Sequence, residues 1–487
     1  MKLSPFIHTL KTPLGYFFYD VNTNRIISIS KMVYDFLAEV ERNEIYPLSC
    51  DICKDVENEI TALKENGFLQ CFRPSKMKHN YDKILEFQLN ENIEQITLQI
   101  TQQCNFRCAY CAYAVPDFST QRHHSPKRMT LETARAVVDF FVKHSVGQSK
   151  VCLGFYGGEP LLEFDLIKDI ADYAEKSFDG KELKFTITTN GSLLTKEVCE
   201  FLSLRNIDVL VSLDGTEKTH NKSRKFAISG QETYKTIEKN LLMIKNKFPS
   251  LYKKIMLNVV VDPRNSADEM HNAFKKELFD GIVNIRSTLI DDTFSVEKTV
   301  PSDSYRIETE IQMFKGYMSI FKRYPQEKVS RLIMGSISEQ REKFQKEMKP
   351  YSRLAEETSH AGPCIPGQKR LFVNTDGVFF PCERVSETSE VMKIGNIHMG
   401  FDIDKSRKIL NICQLTADTC KNCWAISQCS ICARLCDNNG ELSSELKLSN
   451  CAVIRASIED KFLNHICTPL CISNGILGNI CFYITKF

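Results

Sequence analysis

With 487 residues, 43% of them hydrophobic and 25% charged, the chain reads as a soluble globular protein too long for one ordinary core, and about three domains are expected. A formal net charge of only +2 excludes nucleic acid as a global electrostatic partner. Twenty Cys behind an N-terminus without a basic-then-apolar targeting pattern point away from a secreted disulfide scaffold and towards metal ligands in a reducing cytoplasm.

Residues 1–90 hold no cysteine cluster. Phe6–Leu10, Gly15–Tyr19 and Arg25–Ile29 read as short strands separated by turn residues. Ser30 is expected to cap a helix through about Glu41, with Met32, Val33, Phe36, Leu37 and Val40 at helical spacing. A second helix spans about Asp55–Glu65 and ends at Asn66-Gly67. The pair Cys50-x2-Cys53 reads as a helix start, and Cys71 as incidental.

From Ile96 the texture alternates. Strands are predicted at Ile96–Thr101, Val151–Tyr156, Lys184–Thr189, Asp208–Leu213, Ile255–Val261 and Ile282–Ile290. Helices are predicted between them at about 130–144, 164–178, 195–204, 231–247 and 266–279, with another at about 304–322. Such βα alternation means a parallel sheet, here a partial (β/α)6 barrel over 91–322, with its chemistry at the C-terminal strand ends. Residues 323–360 read as a helical connector and 361–455 as a cysteine-rich module. In the tail 456–487, Pro469, Asn474, Gly475, Gly478 and Asn479 interrupt the apolar run, so no membrane span is expected.

Cys104, Cys108 and Cys111 follow the first barrel strand as C-x3-C-x2-C. Three soft thiolates can hold three corners of a four-iron cluster and leave one iron open. Gly157-Gly158-Glu159-Pro160 follows the second strand; its glycines allow close approach to a ligand and Pro160 keeps Glu159 extended. Thr188-Thr189-Asn190-Gly191 and Ser212-Leu213-Asp214-Gly215 end strands three and four, and Arg224 closes the next loop, where its planar fork suits a carboxylate. His220 in that loop is read as structural. Further on stand Cys364, Gly377 and Cys382, then Cys420-x2-Cys423-x5-Cys429-x2-Cys432-x3-Cys436, and last Cys451. Two zinc sites would use the same thiols.

The Cys104–Cys111 run resembles the signature of the radical S-adenosylmethionine (SAM) enzymes, and the later set resembles the SPASM extension that carries auxiliary four-iron clusters. The N-terminal unit resembles a winged-helix-like peptide-recognition domain. Together with Phe6-Ile7-His8, Tyr16-Phe17-Phe18-Tyr19-Asp20 and the long polar segment Tyr113–Ser125, it makes the chain similar to maturases of Cys-rich ribosomal peptides.

The resemblance implies SAM and about three 4Fe–4S clusters. It places Tyr110 near the adenine, Glu159 on the SAM ammonium, Asn190, Ser212 and Asp214 around ribose and methionine, and Arg224 facing SAM or substrate. Cys420, Cys423, Cys429 and Cys451 would hold one auxiliary cluster. Cys364, Cys382 and either Cys432 or Cys436 would hold the other, the choice left open because Ala433 stands where the family spacing expects Cys; a set of only three thiolates would leave one iron free for a substrate thiolate.

The implied reaction cleaves SAM to a 5′-deoxyadenosyl radical and links a Cys sulfur to a peptide carbon as a thioether. A carbon–carbon or ether cross-link is the sister reaction. Formylglycine formation is a further alternative, and Glu383 stands after Cys382 where such enzymes place an acid. A non-catalytic iron–sulfur or zinc protein is the alternative of another class. Implied partners are a precursor peptide with its leader and an electron donor such as ferredoxin or flavodoxin. Cys467, Cys471 and Cys481 have no assigned place.

Overall fold

The structure is a computed structural model and describes residues 4–43, 53–113, 121–282, 284–360, 362 and 364–473. Cys50, Cys481 and residues 114–120 of the polar segment lie outside them.

Three antiparallel strands open the chain: β1 (Ile7–Thr12), β2 (Gly15–Asp20) and β3 (Arg25–Ile29), in that spatial order. Ser30 Oγ accepts from Val33 N at 3.2 Å and so starts α1 (Lys31–Asn43). Cys53 precedes α2 (Lys54–Glu65) without a side-chain capping bond, and the helix ends at Asn66 ahead of Gly67 with φ +85°. Strand side chains alternate between faces. Ile7, Phe18 and Ile29 pack under Val33, Leu37, Val56 and Ile60 of the two helices. The opposite face carries Leu10, Phe17 and Tyr19, which share a core with Phe344, Ile426 and Phe462 from far along the chain.

Residues 1–90 are therefore not closed on themselves, as a free-standing domain would be. Lys76–Met77 pairs in parallel with Glu357–Thr358, tying this region to the connector as well.

The barrel strands are β4 (Gln95–Thr101), β5 (Lys150–Gly157), β6 (Glu182–Thr189), β7 (Asp208–Ser212), β8 (Ile255–Val261) and β9 (Asn284–Leu289). They are parallel neighbours in sequence order. Helices α3 (Leu131–His144), α4 (Phe164–Ser177), α5 (Lys196–Leu204), α6 (Tyr234–Lys247), α7 (Ala267–Ala273) and α8 (Asp303–Ile320) lie between and after them. The helix predicted from 231 starts at Tyr234, because Arg224–Phe226 first forms a strand with the cysteine loop.

α9 (Arg331–Glu347) fills the connector. β10 (Leu371–Val373) then pairs in parallel with β4, Leu371 opposite Ile96, and β11 (Val378–Phe380), β12 (Gly395–Asn396) and β13 (Gly400–Phe401) continue the sheet to ten strands. The cysteine module is thus an extension of the barrel sheet. The expected boundary near 455 falls inside α10 (Cys451–Ser473), whose Ile458, Phe462 and Ile466 lie in the core shared with β1 and β2.

Candidate metal centre

Backbone contacts hold the Cys104–Cys111 loop at the C-terminal end of β4. Phe106–Cys108 pairs with Arg224–Phe226, Cys108 opposite Arg224. Ala109 N donates to Ser223 O at 2.9 Å, and Ala227 N to Asn105 O at 2.8 Å. On the other side Gly158 N donates to Thr101 O and Glu159 N to Gln103 O. A Cβ on Gly158 would stand 2.1 Å from Gln103 O, and one on Gly157 2.4 Å from Thr101 O. The glycines do allow a close approach, but what approaches is the cysteine loop itself.

The sulfurs have donors suited to thiolates: Phe106 N to Cys104 Sγ at 3.3 Å and Tyr113 N to Cys111 Sγ at 3.4 Å. Burial pushes the Cys104 thiol up to about 12, with Glu159 and Cys111 adding to it. Cys108 is likewise pushed to about 12 by burial, against Arg224 and with Cys111 and Cys104. The three thiols are thus close neighbours, protonated until a metal displaces the protons. As a donor set they fit a four-iron cluster.

Glu159 is fully buried and bonded to the barrel. Oε1 accepts from Thr189 Oγ1 (2.7 Å) and Leu161 N (3.1 Å), and Oε2 from Asn190 N (2.7 Å). Burial raises it to about 7. Its carboxylate clamps the ends of β5 and β6 together. Asn190 Nδ2 donates to Asn105 Oδ1 at 2.8 Å, beside Cys104.

Arg224 meets a carboxylate within the barrel. It is 5% exposed, and its fork is taken by Asp214: Nε to Oδ2 at 2.7 Å, Nη2 to Oδ1 at 3.2 Å. Tyr110 O–H donates to the same Oδ2, and Val260 N to Oδ1 at 2.9 Å. Burial would push Asp214 up, but Arg224 outweighs it and holds the carboxyl below its usual range. Tyr110 and Asp214 line a small pocket with Gly215, Val260 and Asp262, at the C-terminal ends of β7 and β8. Ser212 is half-buried on the last turn of β7, opposite Asn258. His220 is structural: Nδ1 accepts from Asp214 N (3.2 Å), Nε2 meets Thr233 Oγ1 (3.0 Å), and burial lowers it to about 3.

In the module, Cys429 is pushed to about 11 by burial, with Cys423, Cys420 and Cys451 all adding, so these four thiols are neighbours. Cys382 is pushed to about 11 by burial, then Glu383, with Cys432 adding. Cys364 is exposed, yet its segment lies against the same turn: a Cβ on Gly362 would stand 2.1 Å from Ile431 O. Cys436 is fully buried and feels both sets, Cys432 on one side and Cys429 and Cys451 on the other. Among the described residues no three His, Cys, Asp or Glu side chains converge as a single ion needs. A four-iron cluster is wider and asks for thiols set further apart.

One buried polar cluster joins the two regions. Arg122, 2% exposed, is ion-paired with Glu387 and donates from Nη2 to Glu383 O (2.5 Å) and Val385 O (3.2 Å). Gln99 of β4 donates to Glu387 Oε1 at 2.6 Å and to Tyr113 Oη at 2.9 Å. Tyr156 of β5 is pushed to about 12 by burial, against Arg122 and with Glu383 and Cys111. Tyr156 therefore feels the charges of both the first cysteine loop and the residue after Cys382. Glu383 Oε1 pairs with Arg370 at 2.6 Å, while Oε2 is buried without a hydrogen-bond partner. The long polar segment Tyr113–Ser125 thus carries Arg122 into the interior of the molecule. Nothing local in the sequence marks Gln99, Arg122 or Glu387.

Residues 98–276 match the radical SAM superfamily. The radical SAM cyclopropyl synthase TigE of Paramaledivibacter caminithermalis is 25% identical over 266 residues, 49% of this chain and 54% of that protein. The serine-type anaerobic sulfatase-maturating enzyme of Bacteroides thetaiotaomicron is 32% identical over 124 residues, 25% of this chain and 29% of that protein. The chain spans about half the length, or less, of these curated relatives. The structure of native anSMEcpe with bound AdoMet superposes with a TM-score of 0.54 at 19% identity, covering 76% of this chain and 99% of that one. No helix among the described residues is long and apolar enough to cross a membrane. The matched stretch carries the cysteine loop on β4, and the cysteine module continues the same sheet; the match to the radical SAM superfamily implies SAM and a four-iron cluster as the cofactors of that stretch.

Proposed function

We propose that the chain matures a ribosomally made, Cys-rich peptide, forming thioether links between a Cys sulfur and a peptide carbon. The observation that carries this is Tyr156 of β5, a buried phenol that feels the charges of both Cys111 and Glu383, the residue next to Cys382. Two cysteine sets thus address one interior, as a reaction that both activates a carbon and holds a thiol requires.

Cys104, Cys108 and Cys111 would hold the radical cluster, and Tyr110 and Asp214 would border the nucleoside of SAM. When bound, these cofactors supply hydrogen-atom abstraction. Cys364, Cys382 and Cys432 would hold the auxiliary cluster nearest the barrel, leaving a position for a substrate thiolate, with Cys420, Cys423, Cys429 and Cys451 on the other. Glu383 offers Oε2 to the thiol proton. The leader would add as a strand to β3, since β1 carries α10 along it and β3 has only β2 beside it. A ferredoxin or flavodoxin would supply electrons, and the reading expects a cytoplasmic protein. The free oxygen of Glu383 favours a second reading, formylglycine formation.

Mass and thiol count decide. A thioether removes two hydrogens, about 2 Da, and one alkylatable Cys per link; formylglycine from Cys removes about 18 Da and one thiol. A product about 2 Da lighter per turnover that keeps every Cys alkylatable would refute the thioether and leave a carbon–carbon or ether link.

A further inference from the structure

Lys447 is 1% exposed. Its ammonium donates to Ile412 O at 3.0 Å, Thr416 Oγ1 at 2.8 Å and Cys420 Sγ at 3.5 Å. Among the described residues no carboxylate pairs with it. An ammonium has three donors and no acceptor, so the Thr416 oxygen accepts from Lys447. The Thr416 hydrogen is then left for Cys420 Sγ, 3.2 Å away. One sulfur thus receives two donors, one of them charged.

Burying an ammonium away from water is strongly unfavourable unless an anion lies close. The groups close by are thiols: besides Cys420, both Cys413 and Cys436 feel the Lys447 charge. His360 alongside is held near 3 by burial, with Lys447 and His79 adding, and stays neutral. Among the described residues this positive charge meets two neutral oxygens and a cysteine sulfur and pairs with no carboxylate, so a metal-bound thiolate would be its counter-ion.

We propose that Lys447 is the fixed counter-charge of the auxiliary cluster on Cys420, Cys423, Cys429 and Cys451 and, with Thr416, raises that cluster's reduction potential. The inference rests on the reading that these four thiols hold a four-iron cluster. Reduction adds one electron and so one negative charge to the site. A buried cation and hydrogen bonds to a ligating sulfur both favour the more negative state. Lys447 acts through Cys420, as a positioning and tuning residue. Its consequence is direction: the cluster it adjoins is the better electron acceptor of the chain and takes the electron released when substrate is oxidised.

The test is a redox titration of anaerobic holoenzyme followed by electron paramagnetic resonance, in a Cys104, Cys108 and Cys111→Ala background to remove the first cluster's signal. Lys447→Met should lower the midpoint of one auxiliary signal by at least a factor of ten in the oxidised-to-reduced ratio, about 59 mV for one electron. The second auxiliary signal should move less. Lys447→Arg, which keeps the charge, should recover most of the shift. Thr416→Val, which keeps the ammonium and loses one donor to sulfur, should give a smaller fall in the same direction. A Lys447→Met protein with full iron and an unmoved midpoint overturns the proposal. Should Lys447→Met not retain the cluster, an unmoved midpoint in Thr416→Val overturns it instead. Zinc in place of iron at these thiols in the unaltered protein would overturn the cluster reading itself.

Discussion

The loop Cys104–Cys111 and the module Cys364–Cys451 gather cysteines in different ways. The loop takes three thiols from one short run, and backbone hydrogen bonds hold it and the residues before it against Ser223 and Ala227 on one side and Gly158 and Glu159 on the other. The module draws its thiols from distant segments between short helices and turns. Around Cys413, Cys420 and Cys423, side chains from β1, β2, α9 and α10 complete the packing. Where backbone positions the sulfurs, one clash displaces them all; where packing does so, damage stays local or is graded.

The largest effect should follow from replacing Cys104, Cys108 and Cys111 together by Ala. SAM cleavage should vanish, with loss of about four of roughly twelve irons, and the auxiliary signals should remain. Loss of the auxiliary signals as well would break the distinction between the regions. Next comes a matched pair. Gly158→Ala drives a Cβ into Gln103 O, and Gly362→Ala drives one into Ile431 O, each from 2.1 Å. Gly158→Ala should cut reductive SAM cleavage by about 100-fold, the cost of misplacing a reacting group by roughly 1 Å. Gly362→Ala should lose auxiliary iron and keep peptide-free SAM cleavage. Equal damage to SAM cleavage by both would mean that the two regions fail as one.

The smallest effect concerns the packing behind the module. His8 of β1 stacks on Trp424 at 3.9 Å. It lies 2.7 Å from Glu41 and 3.8 Å from Glu459 of α10. Burial lowers its pKa, but the two carboxylates outweigh burial and raise it to about 9. Above its ordinary value of 6.5 the folded chain holds this proton more tightly than the unfolded chain does. The stabilisation, up to roughly 3 kcal/mol, is therefore full below pH 6.5 and lost as pH rises through about 9. Trp424 is the single tryptophan, so its fluorescence should titrate near pH 9 in step with falling stability. His8→Gln should abolish that titration; a transition that survives the change would assign it elsewhere.

The barrel was legible because its signals are local. β-branched runs and amphipathic helices announce themselves within a dozen residues, and β8 begins and ends where the sequence reading put it. What fills the space around a residue was less legible. Gly157 and Gly158 mark close approach, yet only the strand order reveals that Thr101 and Gln103 approach them. Glu159 and Arg224 carry the charges expected, but Thr189, Asn190 and Asp214 already engage those charges. Arg122 and Glu387 stand 265 residues apart, beyond any spacing rule. The run Phe17-Phe18-Tyr19 is apolar on both faces of β2, a local sign, unused in the sequence reading, of a sheet covered on both sides. Removing residues 1–90 would strip Phe17 and Tyr19 from a shared core, so leader binding is better probed by substitutions along β3.

The parallel pairing of β10 with β4 has a mechanical consequence. No hinge separates the barrel from Cys382: Leu371, Phe372 and Val373 are in register with Ile96, Thr97 and Leu98, and the Arg122–Glu387 pair braces the same junction. The interval from Cys111 to Cys382 is thus a fixed gauge, set by sheet geometry and not by closure of one lobe on another. A substrate laid across such a gauge is measured by it, and the spacing of the atoms it joins is decided by where the substrate enters.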